Sequence, residues 1–125
     1  MSSIFTKIIQ GEIPCYKIYE DDRTFAFLDI APEAPGHTLV VPKVEVDRIY
    51  DLSDEDYAAV MATVKKLARH LENVLGERTM IKVVGVDVPH AHVHLLPINE
   101  NWAGERRLNP TEAEMQAMQA KLQLN

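Results

Sequence analysis

The sequence holds a single cysteine, Cys15. An internal disulfide framework and a cysteine-rich zinc module are therefore excluded, and a reducing compartment such as the cytoplasm suits it. Basic residues are also short, with Lys+Arg 13 against Asp+Glu 19 and a formal net charge of -6. That balance argues against a protein that coats nucleic acid or anionic lipid. No run approaches the roughly 18 apolar residues that would span a bilayer, so no membrane partner is expected. The first fifteen residues carry Thr6, Lys7, Gln10 and Glu12 where a signal peptide would be apolar. Repeats, low-complexity tracts and Gly/Ser linkers are missing too. What remains is 125 residues, 46% hydrophobic and 26% charged, enough for one core. We expect one cytoplasmic domain over residues 1–125.

Histidine, by contrast, is concentrated. There are five, and His90, His92 and His94 fall within five residues. Around them the pattern predicts an α+β fold. Ile4, Phe5, Ile8 and Ile9 form an apolar stripe at helical spacing, ended by Gly11 and Pro14. Strands are predicted at Tyr16–Glu20 and Thr24–Ile30, joined by a turn at Asp21-Asp22, and at His37–Val41 after a Pro/Gly loop. Ser53 is a candidate N-cap, with Asp54, Glu55 and Asp56 at the positive end of a long amphipathic helix. Tyr57, Val60, Met61, Val64, Leu67, Leu71 and Leu75 would form its buried stripe, and Gly76 its stop. His70 is read on its solvated face. Two strands follow, Thr79–Val84 and Pro89–Leu96, then a helix opened by a Thr111/Glu114 capping box. Met115, Met118 and Leu122 on that helix are read as core. Consecutive strands with few alternating helices indicate an antiparallel-dominated five-stranded sheet.

On a strand, residues two apart share a face. His90, His92 and His94 would then line one side, expected to be exposed, while Ala91, Val93 and Leu95 pack beneath the long helix. Three explanations compete. The rings could be tolerated structural residues, although three crowded titratable groups repel one another when protonated. They could bind metal, with a further ligand from His37; Glu100 lies downstream but follows Pro97, with nothing to turn it back. They could perform chemistry on phosphorus, since imidazole can attack as a neutral base and later leave.

His90-Ala91-His92-Val93-His94-Leu95-Leu96 resembles the signature of the histidine triad family. So do Ile4-Phe5-Thr6-Lys7-Ile8-Ile9, Gly11-Glu12-Ile13-Pro14, Tyr19-Glu20-Asp21-Asp22, Phe27-Leu28-Asp29-Ile30 and Ala34-Pro35-Gly36-His37-Thr38-Leu39-Val40-Val41-Pro42-Lys43, in family order over residues 3–97. The resemblance implies a homodimer that hydrolyses or transfers at the α-phosphate of a purine (AMP-type) nucleotide. It implies His92 as nucleophile, forming a nucleotidyl-histidine, with His90, His94 and His37 in its hydrogen-bonding set. Asp29 would bind the ribose, and Ile4, Phe5, Ile8, Phe27, Leu28, Ile30 and Leu39 would surround the base. A histidine at position 94 favours the phosphoramidase branch, acting on nucleoside phosphoramidates, or the dinucleoside polyphosphate hydrolases. A nucleotide-binding interaction protein with little catalysis is the rival from another class. Neither cofactor nor metal is expected: bacterial relatives carry zinc-binding cysteines where Ser3 and Thr6 stand here. The phosphate loop departs as well. Family members place Gln and a hydroxyl residue where this chain has Val86 and Asp87, and an anion beside phosphate should redirect substrate choice or weaken turnover. Arg106-Arg107 is read as a solvated pair, with a phosphate contact as the alternative.

Overall fold

A computed structural model describes residues 2–98, 102, 104 and 107–125. Helix α1 (Ile4–Ile9) is followed by β1 (Lys17–Glu20), β2 (Thr24–Leu28) and β3 (Thr38–Pro42). A one-turn 3-10 segment, Ile49–Asp51, leads into α2 (Asp54–Leu75), then β4 (Arg78–Lys82), β5 (Val93–Ile98) and α3 (Glu112–Leu122). The strands form one sheet in the order β1-β2-β3-β5-β4, with every neighbouring pair antiparallel. The predicted fold class is the observed one.

Local chemistry sets the boundaries. Asp21 Oδ1 accepts from the amides of Arg23 and Thr24 and from the Thr24 hydroxyl, which closes the β1–β2 turn. Ser53 Oγ accepts from the Asp56 amide at the start of α2, and Gly76 ends it in the left-handed region at φ 75°. The Thr111/Glu114 capping box opens α3. Gly36 is required twice over. Its φ is 89°, and an added Cβ would meet Leu75 Cδ1 at 2.8 Å.

The sheet is covered on both faces, which is why β2 and β3 are buried at every position. On one face Val60, Val64, Leu67 and Leu71 of α2 pack with Ile18, Ala26, Leu28, Val40, Val93 and Leu95; Met115 and Leu122 of α3 complete that core. On the other face Phe5 of α1 packs with Phe25, Phe27, Leu39 and Val41. His94 pairs with Leu39 in the ladder, so its side chain belongs to the α1 face.

Several expectations shift. The last strand was predicted over Pro89–Leu96 but runs from Val93 to Ile98. The His90 amide turns back to Val88 O and the Ala91 amide bonds Val46 O, so His90 and His92 precede the ladder. Thr79–Val84 shortens to Arg78–Lys82, leaving Val83 and Val84 beyond the pairing. Pro42 and Pro97 lie inside strands, although each was read as lying outside one. His70 is not on a solvated face: its Nε2 donates to Leu122 O at 2.7 Å and ties α2 to α3.

Candidate functional site

The three clustered histidines are buried, not exposed as the alternation alone suggested. His90, His92 and His94 have 0%, 2% and 3% of their surface accessible. Phe5 of α1 is the reason, since its ring lies edge-on to His92 at 5.0 Å and to His90 at 5.8 Å between centroids. His92 and His94 are also edge-on, at 5.0 Å. Buried polar groups must find partners, so each ring nitrogen can be followed to its bond.

The chain of bonds begins at a backbone amide. Glu33 N–H donates to His37 Nδ1 at 3.0 Å, so the proton of neutral His37 sits on Nε2. That Nε2–H reaches His94 Nδ1 at 2.9 Å, which places the His94 proton on its own Nε2. His94 Nε2 has no partner although it is buried. An N–H donor thus points unpaired into the site. His92 is set separately: its Nδ1–H donates to His90 O at 2.8 Å, so in the neutral ring the lone pair is on Nε2, where the Asp87 carboxylate is its neighbour. His90 is fully used, donating from Nε2 to Pro42 O at 2.8 Å and accepting at Nδ1 from Ser3 Oγ–H at 2.8 Å. It holds position and offers nothing to a ligand.

Burial keeps His37, His90 and His94 neutral. It pushes His37 down from 6.5 to about 4, with Asp29 opposing the shift and His94 adding to it. Burial likewise lowers His90 and His94.

A cleft of about 260 Å³ opens beside the rings. It is lined by Ile4, Phe5, Ile8, Phe27, Leu28, Asp29, Ile30, Leu39, Asp87, His92 and His94, with Cys15, Val88 and Arg107. Every residue expected around a nucleotide lies on this one wall, while His90 and His37 stand behind it. The β2–β3 loop brings Asp29 and His37 together: the Asp29 amide bonds His37 O, and Asp29 Oδ2 lies 3.8 Å from His37 Nε2. A second cavity, about 310 Å³, lies across Asp29 against Pro32, Pro35, Leu108, Met115 and Met118. It holds His37 but neither His92 nor His94, so the chemistry belongs to the first.

Asp87 approaches the reactive nitrogen directly. Its Oδ1 lies 3.2 Å from His92 Nε2. Burial raises its pKa, but His92 and the amides of Asp87 and Val88 outweigh that and hold it below the usual carboxylate value. It is a carboxylate at neutral pH.

Two groups among the described residues could gather around a cation: Asp29/His37/His94 and Asp87/His92/His94, with ligand atoms within 4.8 Å of one another. Both need a lone pair from His94 or His37 at a nitrogen that the bonding chain protonates, which disfavours them. Nor does the N-terminal zinc position fit a metal. Ser3 and Thr6 are hydroxyls, and they are engaged: Ser3 Oγ with His90, and Thr6 Oγ1 with Glu45 Oε1 at 2.6 Å. Glu100 and Arg106 lie outside the described residues.

Two residues of the site, Glu33 and Glu45, carry no signal in the sequence, and a third, Arg107, departs from its solvated reading. Glu33 is 6% exposed, and its carboxylate takes Lys82 Nζ at 3.0 and 3.2 Å. Glu45 anchors Ser3 and Thr6. Arg107 is not simply solvated: it donates to Ala31 O at 2.7 Å and to Asp29 Oδ2 at 3.3 Å. Only the cleft-lining position of Arg107, far along the chain, distinguishes it from any other surface arginine.

The family model described as HIT domain matches residues 10–101. Adenosine 5′-monophosphoramidase hnt1 of Schizosaccharomyces pombe is 43% identical over 101 residues, covering 78% of this chain and 74% of that protein. Protein hit of Bacillus subtilis is 39% identical over 100 residues, covering 75% and 69%. Among solved structures, a Hit-like protein of Bartonella henselae superposes with a TM-score of 0.89 at 30% identity, covering 97% of this chain and 93% of that one. A zinc-bound histidine triad protein of Mycobacterium smegmatis gives 0.83 at 30% identity, covering 98% and 94%.

Proposed function

The chain belongs to the HIT-domain family, and from that premise we propose a hydrolase that cleaves at the α-phosphate of a purine nucleoside phosphoramidate through a nucleotidyl-His92 intermediate. The tautomer chain carries this reading. It leaves one imidazole lone pair, His92 Nε2, beside one unpaired donor, His94 Nε2–H. An electrophilic phosphorus with an anionic oxygen matches both.

In the first step His92 Nε2 attacks phosphorus while His94 Nε2–H donates to a non-bridging oxygen, which gathers charge as the transition state forms. The ring keeps its Nδ1–H on His90 O, which stabilises the positive charge it acquires. The P–N bond breaks, and the departing nitrogen takes a proton from solvent. A water molecule then attacks the same phosphorus and loses a proton to solvent. His92 leaves as a neutral ring and AMP is released. Protons and bonds balance over the two steps.

Asp29 takes the ribose and the apolar wall of Ile4, Phe5, Ile8, Phe27, Ile30 and Leu39 takes the base. With base and ribose held there, the phosphate would lie against His92 and His94, which line the same cleft. β4 ends the sheet with no further strand among the described residues, and Ile81 on it and Val83 and Val84 just beyond it are exposed. An apolar edge of that kind suits pairing with a second copy in a homodimer. Among the described residues, no helix is long and apolar enough to cross a membrane.

The protein should release AMP from adenosine 5′-phosphoramidate, and failure to do so removes this reading. With the same substrate, Asp29→Ala should raise KM roughly tenfold or more by removing a charged acceptor for the ribose hydroxyls. The 2′,3′-dideoxy analogue should be indifferent to the change. Equal sensitivity of both substrates would move the ribose elsewhere.

A further inference from the structure

Among the described residues, Asp87 is the one anionic group in contact with the attacking nitrogen, 3.2 Å from His92 Nε2. A phosphorus held at Nε2 must displace that carboxylate to one side. The Asp87 side chain is 43% exposed, free enough to move while staying at the same wall of the cleft. It then stands beside the substituents of the phosphorus, and two properties of those substituents decide whether it helps or hinders. The first is charge. A phosphoanhydride brings further phosphates, each an anion repelled by Asp87, whereas an amine brings none. The second is hydrogen bonding. The nitrogen of a phosphoramidate carries N–H, which an ionised carboxylate can accept; an anhydride oxygen offers only acceptors.

From this contact we propose that Asp87 is a specificity-determining residue, admitting nitrogen leaving groups and rejecting polyanionic ones. The proposal rests on the nucleotide-hydrolase reading above and names which of that site's two candidate substrate classes it takes. Asp87 accepts the N–H of the scissile P–N bond while His92 Nε2 forms the new P–N bond, and the nitrogen departs as the neutral amine with one proton gained from solvent. Phosphate leaving groups meet the same carboxylate as a like charge.

Substitution of Asp87 also changes the surroundings of His92. That effect is common to both substrate classes, so it cancels in a ratio of kcat/KM values and the discrimination remains visible.

The experiment measures kcat/KM for adenosine 5′-phosphoramidate and for diadenosine tetraphosphate, without divalent cations, in the native protein and in Asp87→Asn. Calorimetry with AMP and ADP runs alongside, because the second phosphate of ADP occupies the leaving-group position without needing turnover. The native protein should prefer the phosphoramidate and bind ADP more weakly than AMP. In Asp87→Asn the kcat/KM ratio should fall by roughly tenfold or more, and the ADP penalty should shrink with it. A ratio and a penalty both unchanged within about twofold would overturn the proposal. So would a native preference for the tetraphosphate. If neither substrate is turned over but the ADP penalty still shrinks in Asp87→Asn, the hydrolase reading fails while charge selection by Asp87 stands.

Discussion

Replacing His92 by alanine should lower turnover of adenosine 5′-phosphoramidate by roughly a thousandfold or more and leave AMP binding measurable. The magnitude follows from the bonding around the ring. His92 Nδ1 is committed to His90 O, and among the four clustered imidazoles only neutral His92 turns a lone pair to the cleft, open to phosphorus once Asp87 moves aside. His90 has both nitrogens bonded, and His37 is fully buried behind His94. No neighbour can take over the attack. Binding persists because the groups proposed to hold base and ribose lie at other positions along the wall. Equal turnover in the variant would show that the lone pair at Nε2 is not the nucleophile. Loss of AMP binding together with activity would show that His92 supports the cleft instead.

A large effect is also expected on stability. The folded protein should become less stable as pH falls from about 6.5 toward 4, before most carboxylates titrate. Burial depresses His37 from 6.5 to about 4, and His90 and His94 move in the same direction. Between those limits the unfolded chain binds protons that the folded chain refuses. Stability therefore rises with pH across the window, is complete above it, and is lost on acidification. His37 alone accounts for roughly 3 kcal/mol, a large share of a small domain's total. Below the window Glu33 extends the loss: its burial raises the carboxyl pKa, but Lys82 and the other nearby cations bring it below the usual value. Urea unfolding at a series of pH values measures this directly. A midpoint that stays constant between pH 6.5 and pH 4.5 would mean that the rings are protonated in the folded state and that the tautomer chain is wrong.

Much of the fold was legible because its signals are local. The Asp21 turn, the Ser53 cap, Gly76 and the Thr111 capping box each act within a few residues, and each stands where the sequence placed it. The apolar stripe of α2 fixed which face of the sheet it covers. What local pattern could not supply was the second layer. Nothing in His-x-His-x-His tells a solvated face from one covered by Phe5, a ring brought from almost ninety residues upstream in the chain. The strand boundary moved for a similar reason. The Ala91 amide bonds Val46 O, a partner set by the loop after β3 and not by the alternation.

The site divides the same way. His92, His94, Asp29 and the apolar wall were named from the family pattern, and they line one cleft. Glu33, Glu45 and Arg107 act through contacts made only after folding, and no spacing announces them. Asp87 lies between these cases. The sequence marked it as a departure, but the 3.2 Å approach to Nε2 is what turns a departure into a role.

The central claim is a double displacement at phosphorus through His92. Hydrolysis of a nucleoside phosphoramidate made chiral at phosphorus by oxygen isotopes tests it most directly. Two in-line displacements invert the centre twice, so net retention of configuration is the expected result. Net inversion would mean that water attacks the substrate in one step and that no bond to His92 forms.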